Sequence, residues 1–142
     1  MNLCKEVKCT LVQVALADGA TDPDSDSVDM EGFDGVMFLG IVGTIAATGT
    51  VTLAAEQSSD DSTFNALSGI SAEAGAADDD KFLLLDVYRP TDRYVRTALT
   101  RGTADSVYGG TIAIQYKARK KPTVQDASTL AAQVLGISPD ES

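Results

Sequence analysis

Histidine and tryptophan are absent from the 142 residues, cysteine occurs twice, and lysine plus arginine number 11 against 21 aspartates and glutamates. Each shortage removes a class of function. Without imidazole there is no Ser-His or Cys-His nucleophile pair and no histidine general base. Cys4 and Cys9 cannot complete a tetrahedral zinc set alone, and they read as reduced thiols made in a cytosol. A net charge of -10 opposes any grip on nucleic-acid phosphates. No apolar run approaches the roughly 20 residues that cross a bilayer, and residues 1–8 lack the basic start and apolar core of a signal peptide, so no membrane partner is expected. No glycine loop followed by a Walker lysine is present.

The acidic residues do not restore a chemistry. Asp22, Asp24 and Asp26 alternate like the start of an EF-hand loop, but Ser27 stands where a glycine is needed and Phe33 where a bidentate glutamate belongs. Residues 18–27 therefore read as a solvated acidic loop. A glycosidase needs two carboxylates held at fixed separation in a cleft, and the carboxylates here gather in loop-like stretches. With four Phe, four Tyr and no Trp, platforms for sugar stacking are few. No catalytic residue, cofactor or metal ligand is assigned, and no enzyme activity is expected.

What the chain does have is short apolar segments separated by turn formers. Residues 36–42, free of charge, read as a central strand covered on both faces; Gly35, Gly40 and Gly43 argue against a helix. Residues 10–17 alternate as a strand, with Val12, Val14 and Leu16 on one face. Residues 50–56 alternate too, and the short connection 44–49 predicts an antiparallel neighbour of the central strand. Residues 63–67 give a short strand around Phe64, and 68–80, small and acidic, are expected to cross the surface or an edge. Residues 81–89 read as another strand covered on both sides; 93–101 return with Val95 and Leu99 inward, and 107–118 close the set with Ile112, Ile114 and Tyr116 inward and Thr111, Gln115 and Lys117 outward. Seven or eight such strands predict an all-β, antiparallel two-sheet sandwich, jelly-roll-like, with extended termini. The division is an N-terminal arm 1–8, a β-sandwich domain 9–121 and a C-terminal arm 122–142.

Charge is unevenly spread: 15 acids and 2 bases precede residue 81, whereas residues 81–121 hold 3 acids and 9 bases. This pattern suits either subunit-to-neighbour complementarity or two differently charged solvated faces. Arg89, Arg93, Arg96 and Arg101 are expected in cross-strand pairs with residues such as Asp86 and Asp92. Beyond the sandwich, Lys117, Arg119, Lys120 and Lys121 form a basic cluster. From Asp126 the spacing predicts a short amphipathic helix with Leu130, Ala131, Val134 and Leu135 on one stripe, docking on the domain's own surface or on a neighbouring subunit.

Three stretches, residues 28–36 (Val-Asp-Met-Glu-Gly-Phe-Asp-Gly-Val), 62–67 (Ser-Thr-Phe-Asn-Ala-Leu) and 88–96 (Tyr-Arg-Pro-Thr-Asp-Arg-Tyr-Val-Arg), give the chain a resemblance to small structural proteins of tailed bacteriophages. The better understood of these are capsid decoration or cement proteins, β-sandwiches that bind the outside of the head shell. The resemblance spans about residues 8–121 and implies a fold more than a chemistry. It implies a non-enzymatic virion protein on the capsid exterior, synthesised in the host cytoplasm, whose partners are the major capsid protein and its own copies as a homodimer or homotrimer. The contacts expected are Lys117, Arg119, Lys120, Lys121, Leu130, Val134 and Leu135. The alternative is a tail- or fibre-associated carbohydrate-binding module.

Overall fold

A computed structural model describes residues 2–136 and carries nine strands and one helical turn. The turn, α1 (Leu3–Glu6), is capped by Asn2, whose side-chain oxygen accepts from the Cys4 amide at 3.2 Å. The strands are β1 (Lys8–Gln13), β2 (Leu16–Gly19), β3 (Val28–Asp29), β4 (Gly35–Ile45), β5 (Thr50–Ser58), β6 (Asn65–Gly75), β7 (Phe82–Tyr88), β8 (Tyr94–Gly102) and β9 (Ser106–Tyr116). They form the expected antiparallel two-sheet sandwich.

One sheet runs β1-β9-β4-β7, with β2 continuing β1 along β9; the other runs β3-β8-β5-β6. The pairings nest: β1 and β2 with β9, β3 with β8, β4 with β7, β5 with β6. Wrapping that nested hairpin so that β4 also meets β9 and β5 meets β8 closes two sheets over one core, the jelly-roll order. Between the sheets lie Val36, Phe38, Val51, Leu53, Leu85, Val87, Val95, Leu99 and Tyr108, all buried. Each such side chain contributes about 1.5–3 kcal/mol. Close packing is set by glycine at one point: a Cβ on Gly40 would lie 2.4 Å from the Tyr108 hydroxyl, which bonds Thr111 Oγ1 at 2.5 Å. Burial pushes that phenol's pKa above its ordinary range.

Several expectations are corrected. β5 is not a neighbour of β4, because both edges of β4 are already taken by β7 and β9; a tight turn, with Thr48 at φ 67° and the Gly49 amide on Ala46 O at 2.9 Å, carries the chain into the opposite sheet. Residues 68–80, expected to cross the surface or an edge, do lie at a sheet edge, but most of them are paired as strand β6, where Ala74 and the part-buried Leu67, Ile70 and Ala72 cover a thin part of the core. The predicted strand 10–17 is broken into β1 and β2 by a register irregularity, which leaves Val14 exposed. β7 is covered on one side only; Leu83, Leu85 and Val87 turn inward, while Phe82, Leu84, Asp86 and Tyr88 are exposed.

The parity of β9 is opposite to that expected. Thr111, Ala113 and Gln115 are buried and Ile112, Ile114 and Tyr116 face outward. The cause is a β-bulge. Ile41 pairs with Gly110 and Val42 with Tyr108, so Gly109 is extra, and Gly110 takes φ +106° where a Cβ would fall 2.7 Å from Gln13 O. One inserted residue turns every later side chain to the other face. Gln115, thus buried, donates to Asp29 O at 2.8 Å.

The C-terminal helix is also corrected. Asp126 begins one turn, accepting from the Thr129 and Leu130 amides at 3.2 and 3.1 Å, and then no helix follows through Gly136. Thr129, which would have lain on such a helix, instead binds the Leu11 amide, and Thr123 and Gln125 just before it hold the chain along β1. Residues 137–142 of the C-terminal arm lie outside the described residues.

Candidate interaction surface

The outer face of the β1-β9-β4-β7 sheet is built of cross-strand rows. Cys9, Ile114, Met37 and Asp86 form one; Leu11, Ile112, Leu39 and Leu84 the next; Ile41 and Phe82 continue it. Phe82 is 60% exposed, Tyr88 49%, Leu84 48%, Ile41 43% and Leu11 38%. A contiguous apolar surface of this kind on a strongly acidic protein is the mark of an interaction site. Asp86 is its single carboxylate in those rows.

One end of the face is closed by aromatic residues. Gly35 sits between Tyr88 and Tyr116, and a Cβ there would fall 2.3 Å from the Tyr116 ring. Its absence lets Tyr116 reach across β4, donate its hydroxyl to Asp86 on β7 and lie parallel to the Tyr88 ring, 6.5 Å between centroids. Burial, and then the Asp86 carboxylate, push the Tyr116 phenol well above its ordinary pKa. Lys117 and Arg89 flank Tyr88, with Lys117 Nζ 5.0 Å and the Arg89 guanidinium 5.2 Å from its ring centroid.

The residues expected from the sequence to meet a partner are scattered by the fold rather than gathered. Lys117 donates to the Tyr88 hydroxyl at 3.4 Å; Arg119 pairs with Asp34 at 3.0 Å; Lys121 pairs with Glu6; Lys120 is exposed. Leu130 is half-buried, while Val134 and Leu135 are exposed. The arm itself is a strap along the outer edge of β1. Gln125 Oε1 accepts from the Cys9 amide at 2.8 Å and Thr129 Oγ1 from the Leu11 amide at 3.3 Å, while Gln125 Nε2 and Thr123 Oγ1 reach the Val7 carbonyl at 2.8 and 2.7 Å. Side chains thereby occupy edge groups that would otherwise template another strand. Burial, and then the nearby Cys4, raise the Cys9 thiol's pKa.

A cleft of about 570 Å³ opens beside the β3 end, lined among others by Met30, Phe33, Arg89, Pro90, Arg93 and Arg119. Most of its charge is spent internally: Arg93 binds Asp29 and Glu31, each at 2.8 Å, and Arg119 binds Asp34. The hydrogen bond from Arg93 holds Asp29 below the usual carboxylate range. Of the expected series Arg93 and Arg96 pair, but not with Asp86 or Asp92: Arg96 takes Glu56 and Asp24, Arg101 takes only carbonyls and a hydroxyl, and Arg89 lies over the Tyr88 ring with no ion pair among the described residues.

Sequence reasoning missed the outer-face residues because it placed Ile112, Ile114 and Tyr116 in the core. The Gly109-Gly110 pair within a strand pattern was the signal that a bulge would reverse them.

No family model and no curated protein matches the chain. Among solved structures, the PBSX exported protein XepA superposes with a TM-score of 0.57 at 16% identity, over 99% of this chain and 46% of that one. The two share a fold, and this chain spans less than half of XepA. The xylan-binding module CBM15 aligns with a TM-score of 0.37 at 16% identity, over 80% of this chain and 78% of that one.

Proposed function

We propose that this chain is a non-enzymatic virion structural protein that binds the outside of a phage capsid shell and stabilises it, docking through the outer face of the β1-β9-β4-β7 sheet. The observation that carries the reading is the run of rows from Leu11 to Phe82, apolar and exposed on a protein of net charge -10. The resemblance of residues 28–36, 62–67 and 88–96 to decoration proteins supports it, and the fold is one shared with the PBSX exported protein XepA. Such a protein works by mass action: it binds assembled shell only, and so shifts the shell's equilibrium away from rupture. Copies set side by side on the lattice add avidity without new contacts.

The test is co-sedimentation with purified heads stripped of decoration. Saturable binding is expected, weakened about tenfold or more by Ile41→Lys in the middle of the apolar face, and unchanged by Thr100→Lys, exposed on the other sheet. Heads that recruit no protein refute the reading.

A second reading, a carbohydrate-binding module, draws on the parallel Tyr88 and Tyr116 rings beside Asp86 on the same face. Micromolar hits on a glycan array, lost in Tyr88→Ala, together with no binding to heads, would favour it.

A further inference from the structure

The three long edge strands are not treated alike. β1 is covered by the C-terminal strap. β6 is interrupted by a register shift opposite Ala54–Glu56 and by Gly69 at φ +78°. β7, Phe-Leu-Leu-Leu-Asp-Val-Tyr, has neither device: it is seven residues long, in unbroken register with β4, and contains no proline, glycine or lysine. A long, flat, apolar edge of this kind is a template for another strand.

Its free hydrogen-bonding groups can be named. Lys81 O accepts from the Val42 amide at 2.8 Å and the Arg89 amide donates to Asp34 O at 2.7 Å, so odd-numbered residues of this segment turn their backbone groups to β4. The two-residue period then points the amides and carbonyls of Phe82, Leu84, Asp86 and Tyr88 away from the sheet. Among the described residues no group accepts or donates to them.

We propose that the occupant of this edge is a second copy of the chain, pairing β7 with β7 antiparallel about a two-fold axis through Leu85. The edge is complementary to itself in that register. Phe82 falls opposite Tyr88 of the second copy and Leu84 opposite its Asp86, all outward-facing, so the apolar faces of both copies join into one sheet and double the footprint available to a partner. In this register Arg89 of each copy comes opposite Lys81 of the other, whose ammonium is already paired with Asp78 at 3.0 Å, so the strand ends add no net attraction and the pairing rests on the edge itself. The like-charge approach of the two Asp86 carboxylates is diagonal, at roughly 7 Å, and each already accepts from Tyr116. An edge about 24 Å long and about 20 Å deep buries on the order of 1,000 Å² in total, at the lower bound for a specific dimer. The inference is independent of capsid binding, since it concerns the isolated protein.

Sedimentation equilibrium on the full chain, without heads, is the test. A concentration-dependent dimer is expected. Leu84→Lys, at an exposed position that leaves the core intact, should raise its dissociation constant about tenfold or more. In a Cys4→Ala, Cys9→Ala background, Leu84→Cys with Asp86→Cys should oxidise to a covalent dimer, because directly opposed, hydrogen-bonded residues sit at about 5.5 Å between Cα atoms, within disulfide reach. A chain monomeric at every concentration, or a dimer that Leu84→Lys leaves unchanged, overturns the proposal.

Discussion

The two sheets bury similar inner faces and present opposite outer ones. On the β3-β8-β5-β6 sheet the outward positions carry Thr52 bonded to Glu73 at 3.2 Å, Arg96 held between Glu56 at 2.9 Å and Asp24 at 3.2 Å, and Asp29 held by Arg93. On the β1-β9-β4-β7 sheet the same kind of positions carry Leu11, Met37, Leu39, Ile41, Leu84, Ile112 and Ile114. A face that pairs its own charges is finished by the fold; a face of exposed aliphatic side chains gains only when something covers it. Function is therefore sought on the second sheet, and the first supplies internal controls.

The largest effect should come from the one cation that the charged sheet turns inward. Arg101, buried on β8, donates from Nε to Thr21 O at 2.9 Å, from Nη1 to Ala17 O at 2.9 Å and Ser106 O at 2.7 Å, and from Nη2 to Thr21 Oγ1 at 2.6 Å. It ties the loop after β2 to the start of β9 and so joins the two sheets at one end. Arg101→Met leaves those carbonyls without donors, and a loss of about 3 kcal/mol in urea unfolding is expected. A loss under about 0.5 kcal/mol, the scale of a surface substitution, would show that water replaces the clamp.

A smaller effect tests the aromatic corner of the other face. In Gly35→Ala the new methyl meets the far end of Tyr116, a side chain free to swing away, so the cost in stability should stay near 1 kcal/mol. Its consequence is local: the Tyr116–Asp86 bond breaks, and in a spectrophotometric titration the phenol held high by that corner should return toward its ordinary range. An unchanged titration would mean that the corner rebuilds around the methyl.

The sandwich was legible because alternation in 50–56 and 93–101 and the charge-free run 36–42 mark strands irrespective of their partners; the strand order was not, because alternation does not say which strand pairs with which, and β5 lies in the sheet opposite β4. The exposed face was not. Reading apolar side chains at alternate positions as inward fails where both faces of a strand are apolar, as in β7, and where a glycine bulge reverses β9. The tail misled for a different reason. Leu130, Val134 and Leu135 have helical spacing, but a strap held by Gln125 and Thr129 to the β1 amides replaces hydrogen bonds that a short helix would make only marginally.

The smallest effect separates the sheets by pH. Hydrogen bonds lower the folded-state pKa of Asp29, through Arg93, and of Asp60, through the Thr63 and Ser62 amides, below the unfolded carboxylate value of 3.8. Asp29 lies in β3, and Asp60 in the loop between β5 and β6. A depressed carboxylate stabilises above its unfolded pKa, and that contribution is lost as pH falls through the folded value. The acid limb of stability therefore draws on the charged sheet and its loops, with a further share from Asp126 of the strap, whose carboxyl pKa is lowered by its hydrogen bonds from Ser128. Tyr116, on the apolar sheet, has a folded pKa raised above the unfolded 10.0, so its contribution is present below 10.0 and is lost as pH rises through the folded value. The alkaline limb belongs to the other sheet. Asp29 and Asp60 are exposed and Tyr116 is only part-buried, so solvent screening keeps each limb shallow. Thermal melts across pH should show Asp60→Asn flattening only the acid limb and Tyr116→Phe only the alkaline one. If either substitution altered both limbs alike, the two faces would not be electrostatically separate, and the division of labour between them would have to be redrawn.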